Sequence, residues 1–123
     1  MQGRVERINP ILGVQDLSAS VQYYVQVLGF ELYVQAPALA IVQSNGHQIH
    51  LRQGGSDSAA ARIWIGVEDI ALLYSQYRAK GVKITQEPTN FSWAYQMIVE
   101  DPDGNLLVFG SDPLEGEPFQ DQT

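Results

Sequence analysis

Short apolar runs follow one another along the chain, and they occur in the same order twice. Residues 4–15 have the pattern of a strand, and Asp16 then occupies the place of a helix N-cap. The apolar stripe of the predicted helix consists of Leu17, Val21, Tyr24 and Leu28, at spacings of three and four. Two β-rich runs come next, FELYVQ and LAIVQ, and Asn45-Gly46 predicts a hairpin turn into the last run, HQIHLR.

The second half of the chain repeats this plan. ARIWIGV (61–67) predicts a strand, Asp69 an N-cap, and Ile70, Leu73 and Tyr77 the apolar stripe of a second helix. VKITQ and residues 93–100 predict two more strands, and Asp103-Gly104 a turn into NLLVFG. The five residues GVQDL at 13–17 match GVEDI at 66–70. We therefore predict an α+β fold of two βαβββ modules.

These patterns also define the domain organisation. We expect a single domain, residues 1–111, with module one at 4–52, a small-residue linker at 53–61 and module two at 62–111. Residues 112–123 form a polar tail without periodicity, which predicts either disorder or a segment that wraps a partner subunit.

Composition excludes several classes of protein. No apolar stretch reaches the roughly 18 to 20 residues of a membrane span, and MQGRVERINP lacks the apolar core of a signal peptide, so a cytoplasmic location is the default expectation. The absence of cysteine excludes disulfides, thiol catalysis and zinc–thiolate sites.

The charge balance bears on partners. The formal net charge is −7, from 14 acidic and 7 basic side chains, without a Lys/Arg cluster to bind phosphate backbones. We therefore expect no nucleic-acid partner. The acidic field favours cationic small molecules, although the same charge also serves solubility.

Three stretches carry a resemblance to a known family: VQDLSASVQYYVQVLGFEL, WAYQMIVEDPDGN and the paired turns, which cover most of residues 8–111. Together they resemble the vicinal oxygen chelate superfamily, which includes glyoxalase I, extradiol dioxygenases, and the fosfomycin- and bleomycin-resistance proteins. The resemblance implies that each module curls into a half-barrel with its helix outside, and that the mixed sheets enclose a cavity, often in a homodimer. It leaves function open, because binding proteins and several enzymes share the fold.

Enzymes of this family hold a divalent ion with side chains of the first and last strand of each module. The matching positions here read Asn9, His50, Arg62 and Val108. One imidazole beside a permanent positive charge is a poor site for a cation, so we predict no metal, no other cofactor and no catalytic residue. His47 could be a second donor, but its separation of three from His50 puts it on the opposite strand face.

Strand alternation predicts which side chains face the cavity. Trp64 lies on that face beside Arg62 and near His50, a mixture that suits a planar or amphipathic ligand. The predicted ligand-binding residues are Trp64, His50, Arg62, Trp93, Tyr95, Asn9, Tyr33 and Val108. Alternatively, these rings fill the barrel or a dimer interface, and His50 serves as a hydrogen-bonding group or as a general base.

Three functional hypotheses follow. The first is non-catalytic sequestration of a small aromatic or cationic amphipathic compound, of the antibiotic-resistance type, in a cavity of a dimer. The second is a metal-dependent lyase, isomerase or dioxygenase, because a register error of one residue would exchange every face assignment. The third is an accessory or immunity protein bound to another protein.

Overall fold

Each half of the chain forms its own four-stranded sheet. The computed structural model describes residues 2–54 and 60–122, and the chain separates into two units, residues 1–59 and 60–123. Residues 55–59 of the predicted linker lie outside the described residues. The first unit consists of β1 (Ile11–Val14), α1 (Leu17–Gln22), a π-helical segment (Tyr23–Val27), β2 (Glu31–Gln35), β3 (Leu39–Ser44) and β4 (His47–Gln53).

The second unit repeats the same topology. It consists of β5 (Arg62–Gly66), α2 (Ile70–Ala79), β6 (Ile84–Asn90), β7 (Tyr95–Glu100), β8 (Leu106–Ser111) and a short 3-10 helix (Gln120–Gln122). The strand orders are β1-β4-β3-β2 and β5-β8-β7-β6. In each sheet the first strand runs parallel to the last, and the remaining pairs are antiparallel. The predicted α+β fold of two βαβββ modules is confirmed.

Both helices begin where the sequence predicts. The carboxylate of Asp16 accepts a hydrogen bond from the backbone N–H of Ala19 at 3.1 Å, and that of Asp69 accepts one from Leu72 at 3.0 Å. Each aspartate satisfies one of the backbone donors left unpaired at a helix N-terminus. The first helix widens into a π-helical turn before it ends, because the N–H of Leu28 donates to the carbonyl of Tyr23.

Alternate strand residues build the core of each unit. In β4, Ile49 and Leu51 are buried on the helix side, whereas His50 between them is only half-buried. In β8, Leu107 and Phe109 are buried, and the ring of Phe109 meets Tyr77 of α2 edge-on at 5.6 Å. Burial of each such side chain contributes about 1.5–3 kcal/mol. The opposite face of each sheet is therefore the one available for a ligand.

The first strand is shorter than the sequence predicts. It begins at Ile11 rather than at residue 4. Pro10 has no N–H to donate to a neighbouring strand, and only its carbonyl takes part, accepting from the N–H of His50 at 2.9 Å. Asn9, one of the predicted site residues, therefore precedes the strand and is half-buried.

The polar tail contacts its own unit at two points. The N–H of Leu114 donates to the side-chain oxygen of Asn90 at 2.8 Å, and the N–H of Ser92 donates to the carboxylate of Asp121 at 2.8 Å. These partners lie at the end of β6 and in the turn that follows it. Their separation in sequence from the tail explains why no local pattern predicts the contact.

Candidate ligand-binding site

Trp64 is a large exposed side chain on the open face of the second sheet. It is 57% exposed at the centre of β5, where burial alternates from residue to residue. Its ring lies over two glycine backbones. A β-carbon built on Gly110 would come within 2.7 Å of the indole, and one on Gly66 within 3.0 Å. The two glycines therefore form a flat seat that a side chain at either position would fill.

Two other predicted site residues border this seat. Val108 pairs with Trp64 across the β5–β8 ladder, and Arg62 is exposed two residues before Trp64 on the same face of β5. Val108 is only 4% exposed, because Trp64 and Ile98 flank it in the neighbouring strands. Val108 thus packs beside the tryptophan with almost no exposed surface, whereas the side chain of Arg62 is exposed to solvent.

Trp93 lies in the turn between β6 and β7 and is fixed on two sides. Its ring stacks on Phe91, with centroids 4.7 Å apart and planes inclined by 5°. Its indole N–H donates to the side-chain oxygen of Gln96 at 3.1 Å, and the amide of Gln96 donates to Gln86 at 3.2 Å. Trp93 is nevertheless 60% exposed, so the ring remains available for contact with another molecule.

Gln96 connects the surroundings of the two tryptophans. It pairs with Gly110 in the β7–β8 ladder, so the side chain of Gln96 and the open side of Gly110 share one sheet face. Trp64 lies over Gly110, and Trp93 hydrogen-bonds to Gln96. The paired residues Gln96 and Gly110 thus contact one tryptophan each, Trp93 through the Gln96 side chain and Trp64 over Gly110.

Tyr95 lies apart from this pair. It is the neighbour of Gln96 in β7 and faces the other side of the strand. There it lines a shallow groove of about 520 Å³ with residues of the β6–β7 turn and the tail. The other lining residues are Pro88, Thr89, Asn90, Phe91, Leu114, Glu117, Pro118 and Gln120. Tyr95 is thus a neighbour of the tail and not of the Trp64 seat.

In the first unit, His50 lies in an apolar row. It pairs with Ile11 in β1 and with Ile41 in β3, and Ile41 pairs in turn with Val34 of β2. Ile11 is 60% exposed and Val34 is 38% exposed, so this row forms an open apolar surface with one imidazole. Tyr33 is 57% exposed at the point where the β2–β3 register shifts.

The donor set of the described residues does not fit a divalent metal. Within residues 2–54 and 60–122, no three His, Cys, Asp or Glu side chains gather at one point. The first unit offers the imidazole of His50 and the amide of Asn9, and the second offers the guanidinium of Arg62 and the hydrocarbon side chain of Val108. Neither guanidinium nor hydrocarbon coordinates a cation.

The acidic motif of the second half is structural. In DPDGN, the carboxylate of Asp101 accepts from the N–H groups of Asp103 and Asn105, at 2.9 and 2.8 Å. The Asn105 side chain donates to Asp101 at 3.0 Å and accepts from the N–H of Ala61 at 2.8 Å. Asp101 and Asn105 are 3% and 2% exposed. The motif therefore ties the β7–β8 turn to the start of β5.

Sequence reasoning missed the residues that seat and orient the rings. Gly110 and Gly66 lie under Trp64, and Gln96 and Gln86 form the amide pair at Trp93. The available signal was glycine inside two apolar strands, which indicates close approach by another group. For the amide pair no sequence signal exists, because its contacts depend on strand register.

Comparisons with known proteins agree with the fold. The chain matches the model of the Glyoxalase/Bleomycin resistance protein/Dioxygenase superfamily over residues 4–109. No curated protein matches it at a significant level. None of the helices in the described part of the chain has the length and apolarity needed to cross a membrane.

Several solved structures resemble the chain at low sequence identity. TnmS3, an antibiotic binding protein from Streptomyces sp. CB03234, has a TM-score of 0.81 at 20% identity and covers 92% of this chain and 100% of its own. TioX from Micromonospora sp. ML1 has a TM-score of 0.78 at 22% identity, with coverages of 89% and 100%. A glyoxalase/bleomycin resistance protein/dioxygenase from Nocardioides has a TM-score of 0.74 at 20% identity, with coverages of 98% and 91%. At these identities the likeness extends to the fold alone.

Proposed function

The chain belongs to the Glyoxalase/Bleomycin resistance protein/Dioxygenase superfamily, and from that premise we propose that it binds a small aromatic or cationic amphipathic compound without changing it chemically. The seating of Trp64 over Gly66 and Gly110 carries this proposal. It presents the broad face of an indole on an open sheet surface, with Arg62 accessible beside it.

The chemistry of this face favours a planar ligand. Aromatic rings stack on one another in offset or edge-to-face geometry, which is worth about 0.5–1.5 kcal/mol beyond the area buried. Trp93 offers a second exposed ring in the β6–β7 turn of the same unit, and its orientation is fixed by Phe91 and Gln96. A ligand with a flat ring system can therefore be held by stacking, with the Arg62 guanidinium of the same sheet as a candidate polar contact.

Charge supports the cationic side of the proposal. The formal net charge of −7 attracts cations over distances of about a Debye length. A ring that carries a positive charge also gains from a cation–π contact with tryptophan. TnmS3, a solved structure of similar fold, is an antibiotic binding protein, and this supports the binding of a small molecule as the type of activity.

We further propose that the chain forms a homodimer. The open face of the first sheet exposes Ile11 and Val34, Tyr33 is 57% exposed at the β2–β3 register shift, and Ile8 before the sheet is 87% exposed. Apolar surface of this kind is stabilised when a second copy covers it. Light scattering on a size-exclusion column tests this: the proposal requires twice the 13.6 kDa chain mass, and a monomer at all concentrations contradicts it.

Binding is tested by calorimetric titration with proflavine and a panel of aromatic antibiotics, followed by mass spectrometry of the recovered compounds. The proposal predicts saturable binding of at least one compound, recovered unchanged in mass. Replacement Trp64→Leu should weaken that binding about 10-fold or more through loss of ring contact. Leu72→Ala, which removes an exposed apolar side chain of α2, is the matched control and should bind normally. Failure of every compound to bind, or conversion of a bound compound, contradicts the proposal.

A further inference from the structure

The C-terminal segment is attached at two points to the turn that carries Trp93. Asn90 is 7% exposed and makes the first attachment: its side-chain oxygen accepts from the N–H of Leu114 at 2.8 Å. Its amide nitrogen lies 3.3 Å from the carbonyl of Leu114 and 3.5 Å from that of Glu117. The segment therefore follows the end of β6 closely.

The second attachment is made by a carboxylate. Asp121 accepts from the backbone N–H of Ser92 and from its hydroxyl, both at 2.8 Å. Burial opposes the charged form of this carboxyl, but the hydrogen bonds from the side chain and backbone of Ser92 outweigh it and lower the pKa of Asp121 below its ordinary value. The ionised form is thus the one that holds Ser92.

The side chains of the turn alternate in their partners. Asn90 and Ser92 bind the C-terminal segment, whereas Phe91 and Trp93 stack on each other. The N–H of Phe91 also donates to the carbonyl of Ala94 at 2.8 Å, which closes the turn. Hydrogen bonds that fix the backbone at Ser92 therefore also fix the positions of Phe91 and Trp93. They thereby hold the indole N–H of Trp93 within hydrogen-bond distance of Gln96.

We infer that Asp121 is a positioning residue that orients Trp93 for ligand contact through its paired hydrogen bonds to Ser92. Its role in affinity rests on the proposed function, whereas its role in orienting the ring does not. A ring held in its binding orientation before the ligand arrives loses less conformational entropy on binding. The C-terminal segment is thereby part of the binding apparatus although it lies on the far side of the turn.

The two tryptophan indole N–H signals in a ¹⁵N–¹H correlation spectrum test this inference without any ligand. Trp64→Phe and Trp93→Phe assign the two signals. In Asp121→Ala the Trp93 signal should shift and exchange faster with solvent, because its bond to Gln96 is weakened, while the Trp64 signal should stay in place. Asp121→Asn retains one side-chain oxygen that can accept from Ser92 but loses the charge, so it should shift the Trp93 signal by less than Asp121→Ala does.

Glu115→Ala is the matched control, since it removes an exposed carboxylate from the same segment. An unmoved Trp93 signal in Asp121→Ala overturns the inference, as does an equal shift of Trp64 or an equal effect of Glu115→Ala. For a compound that binds the natural protein, Asp121→Ala should weaken affinity about 2- to 10-fold, the range expected for ordering one side chain. Unchanged affinity overturns the inference, whereas absence of binding to the natural protein overturns the proposed function and leaves the indole signals to decide the positioning role.

Discussion

The indole ring of Trp64 lies directly over Gly110. A β-carbon added to Gly110 would come within 2.7 Å of the ring. The contact crosses between β5 and β8, whose register pairs Trp64 with Val108 and Gly66 with Gly110. A tryptophan at this position can lie flat only because its neighbour has no side chain. The pair therefore defines how the exposed indole is presented to a ligand.

Gly110→Ala should displace the Trp64 ring. Since the added methyl group would meet the middle of the indole, the ring has to rotate or the strands have to separate. We expect a loss of about 1–3 kcal/mol in the free energy of unfolding, together with a changed Trp64 emission spectrum. Urea denaturation measures the free energy of unfolding. The Trp64 emission spectrum is recorded with Gly110→Ala introduced into the Trp93→Phe variant, in which Trp64 is the remaining tryptophan.

The other glycines supply a graded comparison for this prediction. Gly66→Ala meets the ring edge at 3.0 Å and should have a smaller effect, and Gly3→Ala has nothing within 4 Å and should have none. Equal emission spectra for Gly110→Ala and Gly3→Ala would show that the ring does not rest on this seat.

Asn105→Ala should destabilise the second unit without a specific effect on ligand affinity. It removes the side-chain partner of the partly buried N–H of Ala61 and of the buried carboxylate of Asp101. The expected loss in the free energy of unfolding is about 1–3 kcal/mol. Denaturant titration measures it, with the exposed amide Gln2→Ala as the control; an equal midpoint in both variants would contradict the structural role of the DPDGN turn.

Acid should weaken the attachment of the C-terminal segment at Asp121. The pKa of Asp121 is lowered from 3.8 in the folded protein, so its stabilising contribution is present above the unfolded value and is lost as the pH falls through the folded one. The indole signal of Trp93 should therefore move with a midpoint below pH 3.8. The same pH titration of Asp121→Asn separates the protonation of Asp121 from that of other carboxylates. If the Trp93 signal moves with the same midpoint in both proteins, a group other than Asp121 causes the transition.

Protein purified without chelators should contain less than about 0.1 equivalent of transition metal per chain. Guanidinium and hydrocarbon groups stand at two of the four positions that resemble the family's ligand positions, Arg62 and Val108, and neither can coordinate a cation. Elemental analysis measures the content. Stoichiometric nickel, zinc, manganese or iron would instead support the metal-dependent lyase, isomerase or dioxygenase hypothesis.

Local patterns predicted the elements of the fold well. Asp16 and Asp69 cap their helices, and Asn45-Gly46 adopts the left-handed backbone, φ +50° and +82°, that a two-residue hairpin turn requires. These features depend on neighbours in sequence, so sequence alone reveals them. The repeat of GVQDL as GVEDI likewise predicted two modules, and the two sheets have the same topology.

Contacts across the chain could not be predicted in the same way. Alternation put Val108 on the same face as Trp64, but it did not reveal that neighbouring strands bury Val108 to 4% exposure. Tyr95 was predicted to bind the ligand together with Trp64 and Trp93, whereas the pleat directs it to the groove beside the tail. The hydrogen bonds of Asp121 span 29 positions and follow no periodic pattern.

Quenching of Trp64 emission is the most direct test that Trp64 contacts a bound aromatic compound. In Trp93→Phe, Trp64 is the one remaining tryptophan, and its emission can be followed during titration with proflavine and the aromatic antibiotics. If Trp64 contacts the ligand, at least one compound should quench its emission saturably and be recovered unchanged. Constant Trp64 emission across the whole panel, with the circular dichroism of a folded protein, would contradict that contact.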